Sequence, residues 1–334
     1  MRRPRALSLA SRACTIKNRR GIFESCACFF YDLKKKAPFG KLFEGDYYMP
    51  RCEVCFRHCE IKEGRTGFCG ARSVKEGRVY ASGYGKITAL ALDPVEKKPL
   101  KRFHPGSYVL SVGSYGCNLR CPFCQNSDIS WGDDVFERMD NSRELTPESL
   151  VELALSLRAR GNIGIAFTYN EPLIGYEYVR DTSRLSHEAG LLNVLVTNGT
   201  AELAVLKEIA PFIDAMNIDL KGFTKEYYDH ILGGSLEMTK CFIEEAVKTC
   251  HVELTTLIVP GENDSEEEMR EISSWIRSLK DSEGRETGRT IPLHITRFFP
   301  RFHMTDKKPT DVSHVYRLAD VAREQLEYVY TGNC

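Results

Sequence analysis

The most informative part of the sequence is Gly116-Cys117-Asn118-Leu119-Arg120-Cys121-Pro122-Phe123-Cys124. Its three cysteines are separated by three residues and then by two, so that three thiolates can point into one compact loop. A cubane iron–sulfur cluster normally takes four thiolates. The stretch therefore predicts a cluster with one iron open to an exchangeable ligand, as a catalytic cluster needs. Two plainer interpretations stay open, a zinc knuckle and three ordinary buried cysteines, although zinc sites favour paired hooks separated by longer gaps.

The composition is typical of a globular protein with no preference for nucleic acid or membranes. The chain has 334 residues, 42% of them hydrophobic and 28% charged, and its 46 basic and 46 acidic residues cancel. No apolar run approaches the roughly 20 residues that span a bilayer. Seven of the 13 cysteines fall in two tight groups, at 52–69 and 117–124. This grouping indicates metal chemistry in a reducing cytoplasm rather than a secreted disulfide framework.

The first 48 residues differ from the rest of the chain. Seven basic residues precede the first acidic one, Glu24, and the segment shows no apolar periodicity. A basic, acid-poor start is typical of an organellar transit peptide. The preferred prediction is a disordered extension or an upstream start codon, with Met49 as the true start.

A second cysteine pattern, Cys-x2-Cys-x3-Cys-x9-Cys, begins at residue 52. Its members are Cys52, Cys55, Cys59 and Cys69. Four thiolates this close suffice for a closed metal site, which could hold zinc or a second iron–sulfur cluster. Residues 78–92 alternate loosely and predict a hairpin. We therefore expect a small cysteine-rich metal-binding module with a hairpin at 49–106 and a main domain at 107–334.

From residue 108 onward, β-rich apolar runs alternate with helical patterns. The predicted strands cover 108–114, 163–168, 191–197, 214–221, 251–259 and 291–297. The predicted helices lie near 175–189, 200–209, 235–249, 265–280 and 311–326, and Thr146-Pro147 opens a further helix. Such alternation implies parallel strands joined by right-handed crossovers. Six units predict an α/β fold with a partial (β/α)6 TIM-like barrel, in which the chemistry lies at the carboxyl ends of the strands.

Three predicted strands carry polar residues at every second position, which is unusual for fully buried parallel strands. The polar positions are Asn217, Asp219 and Lys221, then His251, Glu253 and Thr255, then His294 and Thr296. The apolar positions between them can pack under the helices, so the polar ones are expected to face the lumen. Because buried polar groups cost free energy unless they are bonded, these should bind a ligand or, as the alternative, one another.

Two loops, after the second and third predicted strands, are further candidates for ligand binding. Glu171, in Thr168-Tyr169-Asn170-Glu171-Pro172, is held before a proline and could accept hydrogen bonds from an ammonium group. Thr197-Asn198-Gly199 would be an ordinary turn by composition alone. Its position at the end of a predicted strand places it where a barrel ligand would lie.

Together these stretches resemble the radical S-adenosylmethionine (SAM) superfamily, and within it the AmmeMemoRadiSam-system enzymes, relatives of the pyruvate formate-lyase activating enzymes. The resemblance covers about residues 50–334. The matching stretches are C-E-V-C-F-R-H-C, G-F-C-G-A-R, L-D-P-V-E-K-K-P-L, S-Y-G-C-N-L-R-C-P-F-C-Q-N, T-Y-N-E-P and N-I-D-L-K. The implied fold is the partial barrel described above.

The resemblance implies a cluster and a cofactor. Cys117, Cys121 and Cys124 would ligate a [4Fe–4S] cluster, and SAM would chelate its fourth iron. The superfamily motif is C-x3-C-x-(aromatic)-C, so Phe123 fills the aromatic slot and would lie near the adenine. The implied reaction is the one-electron reduction of SAM to methionine and a 5′-deoxyadenosyl radical, which then abstracts hydrogen from a substrate.

The resemblance also implies which side chains hold SAM. Asn170 and Glu171 take the place of the family's Gly-Gly-Glu motif and would hold the SAM ammonium group, with an asparagine where the family has a glycine. Lys221 belongs to an Asp-x-Lys motif like that of the activating enzymes and is a catalytic candidate. Further candidates for SAM binding are Thr197, Asn198, Asp219 and His294.

The implied partners follow from the same resemblance. An electron donor of flavodoxin or ferredoxin type would reduce the cluster. Activating enzymes take hydrogen from a glycine of a partner protein, and the AmmeMemo branch is named for neighbouring Memo-like and AMMECR1-like proteins, so the substrate stays open. A hypothesis of another class is a non-catalytic adaptor, in which both cysteine groups hold zinc or iron–sulfur clusters and the lumen carboxylates have no task.

The C-terminal residues suggest one more candidate. Residues 326–330 are expected to form a short strand at the open side of the barrel. Cys334 would then emerge at the mouth and could act near SAM as a hydrogen donor, a redox partner or a gate. The alternative is a frayed last residue without a role.

Overall fold

The computed structural model describes residues 49–334 and builds them around one mostly parallel sheet. The expectations for residues 1–48 lie outside this described part. In chain order the strands are β1 (Arg72–Lys75), β2 (Arg78–Ala81), β3 (Lys86–Ile87), β4 (Ala89–Pro94), β5 (Tyr108–Gly113), β6 (Arg143–Glu144), β7 (Asn162–Phe167), β8 (Leu192–Thr197), β9 (Ala215–Asp219), β10 (His251–Ile258), β11 (Leu293–Arg297) and β12 (Val329–Gly332).

The main sheet has eight strands in the order β12-β11-β10-β9-β8-β7-β5-β4. All neighbours from β5 to β12 pair in parallel, and β4 is antiparallel to β5. The six predicted strands are all present, and the predicted C-terminal strand joins β11 as β12, a few residues later than expected. The prediction of a partial parallel barrel is therefore confirmed.

Helices join the parallel strands as crossovers, and within residues 49–334 four of the α-helices begin after a side chain that caps the first turn. Their bounds are α1 (Ser127–Ser130), α2 (Val135–Asp140), α3 (Pro147–Ser156), α4 (Tyr176–Glu188), α5 (Leu203–Ile209), α6 (Leu236–Ala246), α7 (Glu266–Arg277) and α8 (Val312–Arg323), with a π-helical turn at Tyr227–Leu232. The Thr146 hydroxyl accepts from the Ser149 backbone N–H before Pro147, as the sequence predicts for α3. Within residues 49–334, no helix is long and apolar enough to cross a membrane.

The predicted hairpin at 78–92 is wrong in its extent. β2 pairs back with β1, so the hairpin covers residues 72–81. β4 instead pairs with β5 at six consecutive positions, from Ala89 opposite Gly113 to Pro94 opposite Tyr108. This ladder satisfies the backbone groups along one whole side of β4, which a hairpin with the four-residue β2 would not do.

The two faces of the sheet are separated by the period-two alternation seen in the sequence. On the face that packs against the helices, Met216 and Ile218 belong to the main hydrophobic core. The concave face has its own small cluster, in which Val95 and Leu100 cover side chains from four adjacent strands: Val109, Ala166, Val194 and Ala215. Residues 95–102 therefore cover part of the concave face of these strands.

Polar side chains of the concave face bond to this covering segment and to one another. The buried Glu253 carboxylate accepts from the backbone N–H groups of Lys101 and Arg102 at 2.9 and 2.7 Å, and contacts His294 Nε2 at 2.6 Å. Asn217 donates to the Pro99 carbonyl at 2.9 Å. We call the group formed by Asn217, Glu253 and His294 the lower layer. Its polar side chains bond to one another and to the backbone, so here the structure shows a mutually satisfied network.

Candidate active site at the carboxyl ends of the strands

The cysteine loop, residues 116–124, leaves the carboxyl end of β5 and is held there by the Asn170 side chain. Asn170 Oδ1 accepts from Ser114 N at 3.0 Å, and Nδ2 donates to the carbonyls of Tyr115 and Gly116 at 3.1 Å each. Gly116 has φ 87°, a left-handed conformation that glycine adopts at low cost. Asn170 therefore fixes where the loop begins, and its contact with SAM stays a prediction.

A second set of amide contacts ties the loop to the end of β8. Asn198 Nδ2 donates to Asn118 Oδ1 at 2.9 Å, and Asn118 Nδ2 donates to the Thr200 hydroxyl at 2.8 Å. The backbone N–H of Thr200 in turn donates to Asn198 Oδ1 at 3.0 Å. Asn198 Nδ2 also lies 3.9 Å from the Cys117 sulfur. Thr197-Asn198-Gly199 is thus more than a turn, since it supports the cysteine loop directly.

Glu171 is a buried carboxylate beside this loop, with 4% of its surface exposed. It accepts from Leu173 N at 3.0 Å, from the Thr197 hydroxyl at 2.7 Å and from Asn198 N at 2.8 Å. Burial raises the pKa of the Glu171 carboxyl to about 7, against the opposing effect of these three neutral donors. Within residues 49–334 it forms no ion pair with a protein cation, so the site suits an incoming positive charge.

Asp219 is the last residue of β9, and Lys221 follows it two positions later. Lys221 Nζ lies 2.8 Å from Asp219 Oδ2. Burial disfavours the ammonium form, yet the nearby Asp219 and Cys121 raise the pKa of Lys221 well above its ordinary value. The pair therefore stands as an ion pair next to the cysteine loop.

The comparisons with known proteins agree with this geometry. The family model of the Radical SAM superfamily matches residues 111–272. The uncharacterized protein MJ0808 of Methanocaldococcus jannaschii is 41% identical over 294 residues, which cover 85% of this chain and 81% of that protein. The chain belongs to the radical SAM superfamily.

One further relative and one solved structure are similar to this radical SAM enzyme. The pyruvate formate-lyase-activating enzyme of Clostridium pasteurianum is 28% identical over 184 residues, covering 54% of this chain and 72% of that enzyme. The crystal structure of Streptococcus suis SuiB bound to S-adenosylmethionine has a TM-score of 0.50 at 14% identity, covering 66% of this chain and 48% of that one. The latter similarity concerns the fold alone. The superfamily uses a [4Fe–4S] cluster and SAM, and its members are enzymes, which favours an enzyme over the adaptor hypothesis.

The side chains at the strand ends fit both groups. None of Cys117, Cys121 and Cys124 is in a disulfide, and their loop supplies three thiols where a cluster that binds SAM needs one iron left open. Burial raises the pKa of Cys117 well above its ordinary value and that of Cys121 to about 11, so bare thiols stay protonated here until a metal replaces the proton. The uncompensated Glu171 carboxylate suits the SAM ammonium group.

Phe123, in the cysteine loop, packs against the chain segment that follows β11. Its buried ring meets Phe298 edge-on, with the ring centroids 6.2 Å apart. The His303 backbone N–H donates to the Pro122 carbonyl at 2.8 Å. These contacts fix the aromatic position of the motif, and its approach to an adenine stays a prediction.

Two predicted site residues are not brought to this group. His294 is the second residue of β11, where it bonds to Glu253 and stacks on Tyr330 at 5.3 Å between ring centroids. Cys334 is exposed, and its thiol lies 3.5 Å from the Gly332 carbonyl. In the strand register His294 pairs with Thr255, whose partner on the other side is Asp219, and its contact with SAM stays a prediction.

Sequence reasoning missed a buried network centred on Asp93. Asp93 Oδ2 accepts from Lys98 Nζ at 2.9 Å and from the Tyr169 hydroxyl at 2.8 Å. Tyr169 has φ 74° and lies over Gly113, where an added Cβ would come within 2.9 Å of the ring. The signal was available in two of the matching stretches, L-D-P-V-E-K-K-P-L and T-Y-N-E-P, but nothing in either one pointed to the other.

Proposed function

We propose that this radical SAM enzyme abstracts a hydrogen atom from a protein, in the manner of a glycyl-radical activating enzyme or within an AmmeMemo system. The proposal rests on one observation above all. Glu171, Asn198 and Asp219 come from the ends of three successive strands, and all adjoin the cysteine loop that follows a fourth. Such convergence at the carboxyl ends is where a barrel enzyme carries out its chemistry.

Each side chain of the group has a proposed task. Cys117, Cys121 and Cys124 hold the cluster, and Glu171 holds the SAM ammonium group. When bound, the cluster and SAM supply reductive cleavage to methionine and a 5′-deoxyadenosyl radical. Phe123 excludes water beside the cofactor, which protects a reactive species from side reactions.

Asn198, Thr197 and the Asp219–Lys221 pair have supporting tasks. Thr197 and Asn198 bond to Glu171 and keep its carboxylate in place. Asp219 holds the charged form of Lys221 beside Cys121, where the ammonium group is suited to the anionic parts of a bound cofactor. In this proposal Lys221 orients SAM rather than exchanging a proton.

A protein substrate is supported by the similarity to a pyruvate formate-lyase-activating enzyme and by the shape of the sheet. Within residues 49–334 the main sheet runs from β12 to β4 without closing, so the barrel has an open side. An extended polypeptide segment can enter along an open side more easily than through a closed barrel. The proposed partners are a flavodoxin- or ferredoxin-type electron donor and a Memo-like or AMMECR1-like protein.

The source of the abstracted hydrogen tests this proposal. Extract of deuterium-grown cells of the organism that carries the gene is separated into macromolecules and small molecules, and each fraction is added to reconstituted enzyme with SAM and dithionite. Deuterium should enter 5′-deoxyadenosine only with the macromolecular fraction, as measured by mass spectrometry. Protease treatment of that fraction should abolish the transfer. Deuterium arriving from the small-molecule fraction alone would refute a protein substrate.

A further inference from the structure

The four thiols of Cys52, Cys55, Cys59 and Cys69 form a second site that the SAM chemistry does not explain. All four line one small cavity, together with apolar side chains that include Val54, Ile61 and Ile174. None of the four is in a disulfide, and three are buried. Four cysteine thiols set around one cavity match the four protein ligands of an iron–sulfur cluster that carries electrons.

A direct hydrogen bond joins this second site to the cysteine loop. The backbone N–H of Cys117 donates to the Cys69 carbonyl at 3.1 Å, so one residue from each site takes part. The contact requires glycine at position 116, because a Cβ there would lie 2.4 Å from the Cys69 carbonyl oxygen. A path from the Cys69 thiol to the Cys117 thiol therefore runs through the covalent bonds of these two residues and the single hydrogen bond between them.

Two arginines lie between the sites and add positive charge there. Arg57 donates to the Asn118 carbonyl at 2.7 Å, and Arg120 donates to the Cys117 carbonyl at 2.8 Å. Their guanidinium carbons lie 3.3 and 3.8 Å from the centroid of the Phe68 ring. Positive charge between two thiolate-ligated clusters favours their reduced, more negative forms.

Phe68 connects the region of the two arginines with the protein surface. It precedes Cys69 in the chain, and 41% of its surface is exposed. An exposed aromatic ring flanked by two cations is a suitable contact for an acidic electron-donor protein.

We propose that Cys52, Cys55, Cys59 and Cys69 bind an iron–sulfur cluster that passes electrons to the SAM-binding cluster through the Cys69–Cys117 hydrogen bond. A flavodoxin- or ferredoxin-type donor loses one electron, the four-cysteine cluster gains it, and that cluster is oxidised again as the electron moves on. No proton moves and no bond to the protein is made or broken. Since four protein ligands leave no open iron, this cluster carries electrons and does not bind SAM.

Metal content and electron paramagnetic resonance test the site itself. The full chain with Cys117, Cys121 and Cys124 all changed to alanine should keep iron and acid-labile sulfide after anaerobic reconstitution, and should give one unbroadened signal on reduction. Wild-type protein should give a signal broadened by magnetic interaction between two nearby clusters. Zinc in place of iron in the triple variant would overturn the proposal, as would a wild-type spectrum that is the plain sum of two isolated clusters.

A single substitution tests the relay separately from the SAM chemistry. Cys59→Ser changes the partly exposed ligand, and Cys250→Ser is the control at a remote thiol. We expect Cys59→Ser to lose reduction of the SAM-binding cluster by reduced flavodoxin, followed by its resonance signal, while reduction by dithionite is kept. An Arg57→Gln variant should shift the reduction potential of the second cluster to a more negative value if Cys59→Ser does not fold. Unchanged flavodoxin-driven reduction in Cys59→Ser, or an unchanged potential in Arg57→Gln, would refute the relay.

Discussion

Glu171 shows at the scale of one residue how burial prepares a group for a charged ligand. Its three hydrogen-bond partners are neutral, and the carboxylate is almost completely removed from water. Burial therefore outweighs the donors and raises the pKa of Glu171 to about 7. An arriving ammonium group would favour the ionised form and shift that pKa downward.

SAM binding should consequently depend on pH through Glu171. Below about pH 7, protons compete with the ammonium group, so the affinity should fall by up to about tenfold for each pH unit. Glu171→Gln should bind SAM weakly and with a flat pH profile between pH ~6 and ~8. Glu152→Gln, an exposed position on α3, is the control and should keep the wild-type profile. Equilibrium binding to the oxidised, reconstituted protein measures this, and a wild-type slope in Glu171→Gln would contradict the proposed contact.

Glu253, on β10, illustrates the opposite case. It is equally buried, but contacts from His251 and His294 and two backbone donors overcome burial and lower its pKa to about 2. The lowered pKa means that ionised Glu253 stabilises the fold above pH ~4.5 and that this stabilisation is lost as the pH falls towards ~2.

Glu253→Gln should therefore reduce stability without altering the chemistry. The expected loss in the free energy of unfolding is about 3 kcal/mol at neutral pH, and it should shrink as wild type and variant are compared at lower pH. Denaturant titrations at several pH values measure it. SAM cleavage per folded molecule should stay unchanged, because the network lies in the lower layer. A cleavage defect in fully folded variant protein would show that this layer belongs to the active site.

At the scale of elements, the decisive feature is the close approach of the four-cysteine segment to the cysteine loop at Gly116. Gly116 and Gly106 have nearly the same left-handed backbone, with φ of 87° and 84°. An added Cβ at Gly116 would lie 2.4 Å from the Cys69 carbonyl oxygen, whereas at Gly106 nothing lies within 4 Å. Comparing the same alanine substitution at Gly116 and at Gly106 therefore separates the cost of backbone strain from the cost of steric contact.

Gly116→Ala should destabilise the protein far more than Gly106→Ala. Both substitutions cost about 1–2 kcal/mol for the left-handed conformation. The steric overlap at Gly116 adds about 1–3 kcal/mol and should push the two cysteine segments apart. Denaturant unfolding and iron content after reconstitution measure both effects. Equal unfolding free energies and equal iron contents in the two variants would contradict the described contact.

At the scale of the whole molecule, the sequence predicted the elements that depend on local patterns. The alternation of polar and apolar residues in β9, β10 and β11 correctly indicated which side chains face the lumen, because a strand has a period of two. It did not indicate the partner of His294, which contacts the buried Glu253 carboxylate at 2.6 Å, and the contact of His294 with SAM stays a prediction. The edge position of β4 and the Asp93–Tyr169 contact depend on pairing between distant segments, which no local pattern contains.

Loss of SAM cleavage on removal of the three thiols would establish that the cysteine loop holds the cluster at which SAM is cleaved. Wild-type protein and the variant with Cys117, Cys121 and Cys124 changed to alanine are reconstituted anaerobically and given SAM and dithionite. Wild type should release 5′-deoxyadenosine and methionine in equal amounts, while the variant should release none although it keeps its fold and the iron of its second site. Release of 5′-deoxyadenosine by the variant at the wild-type rate would show that the cluster is not held by Cys117, Cys121 and Cys124.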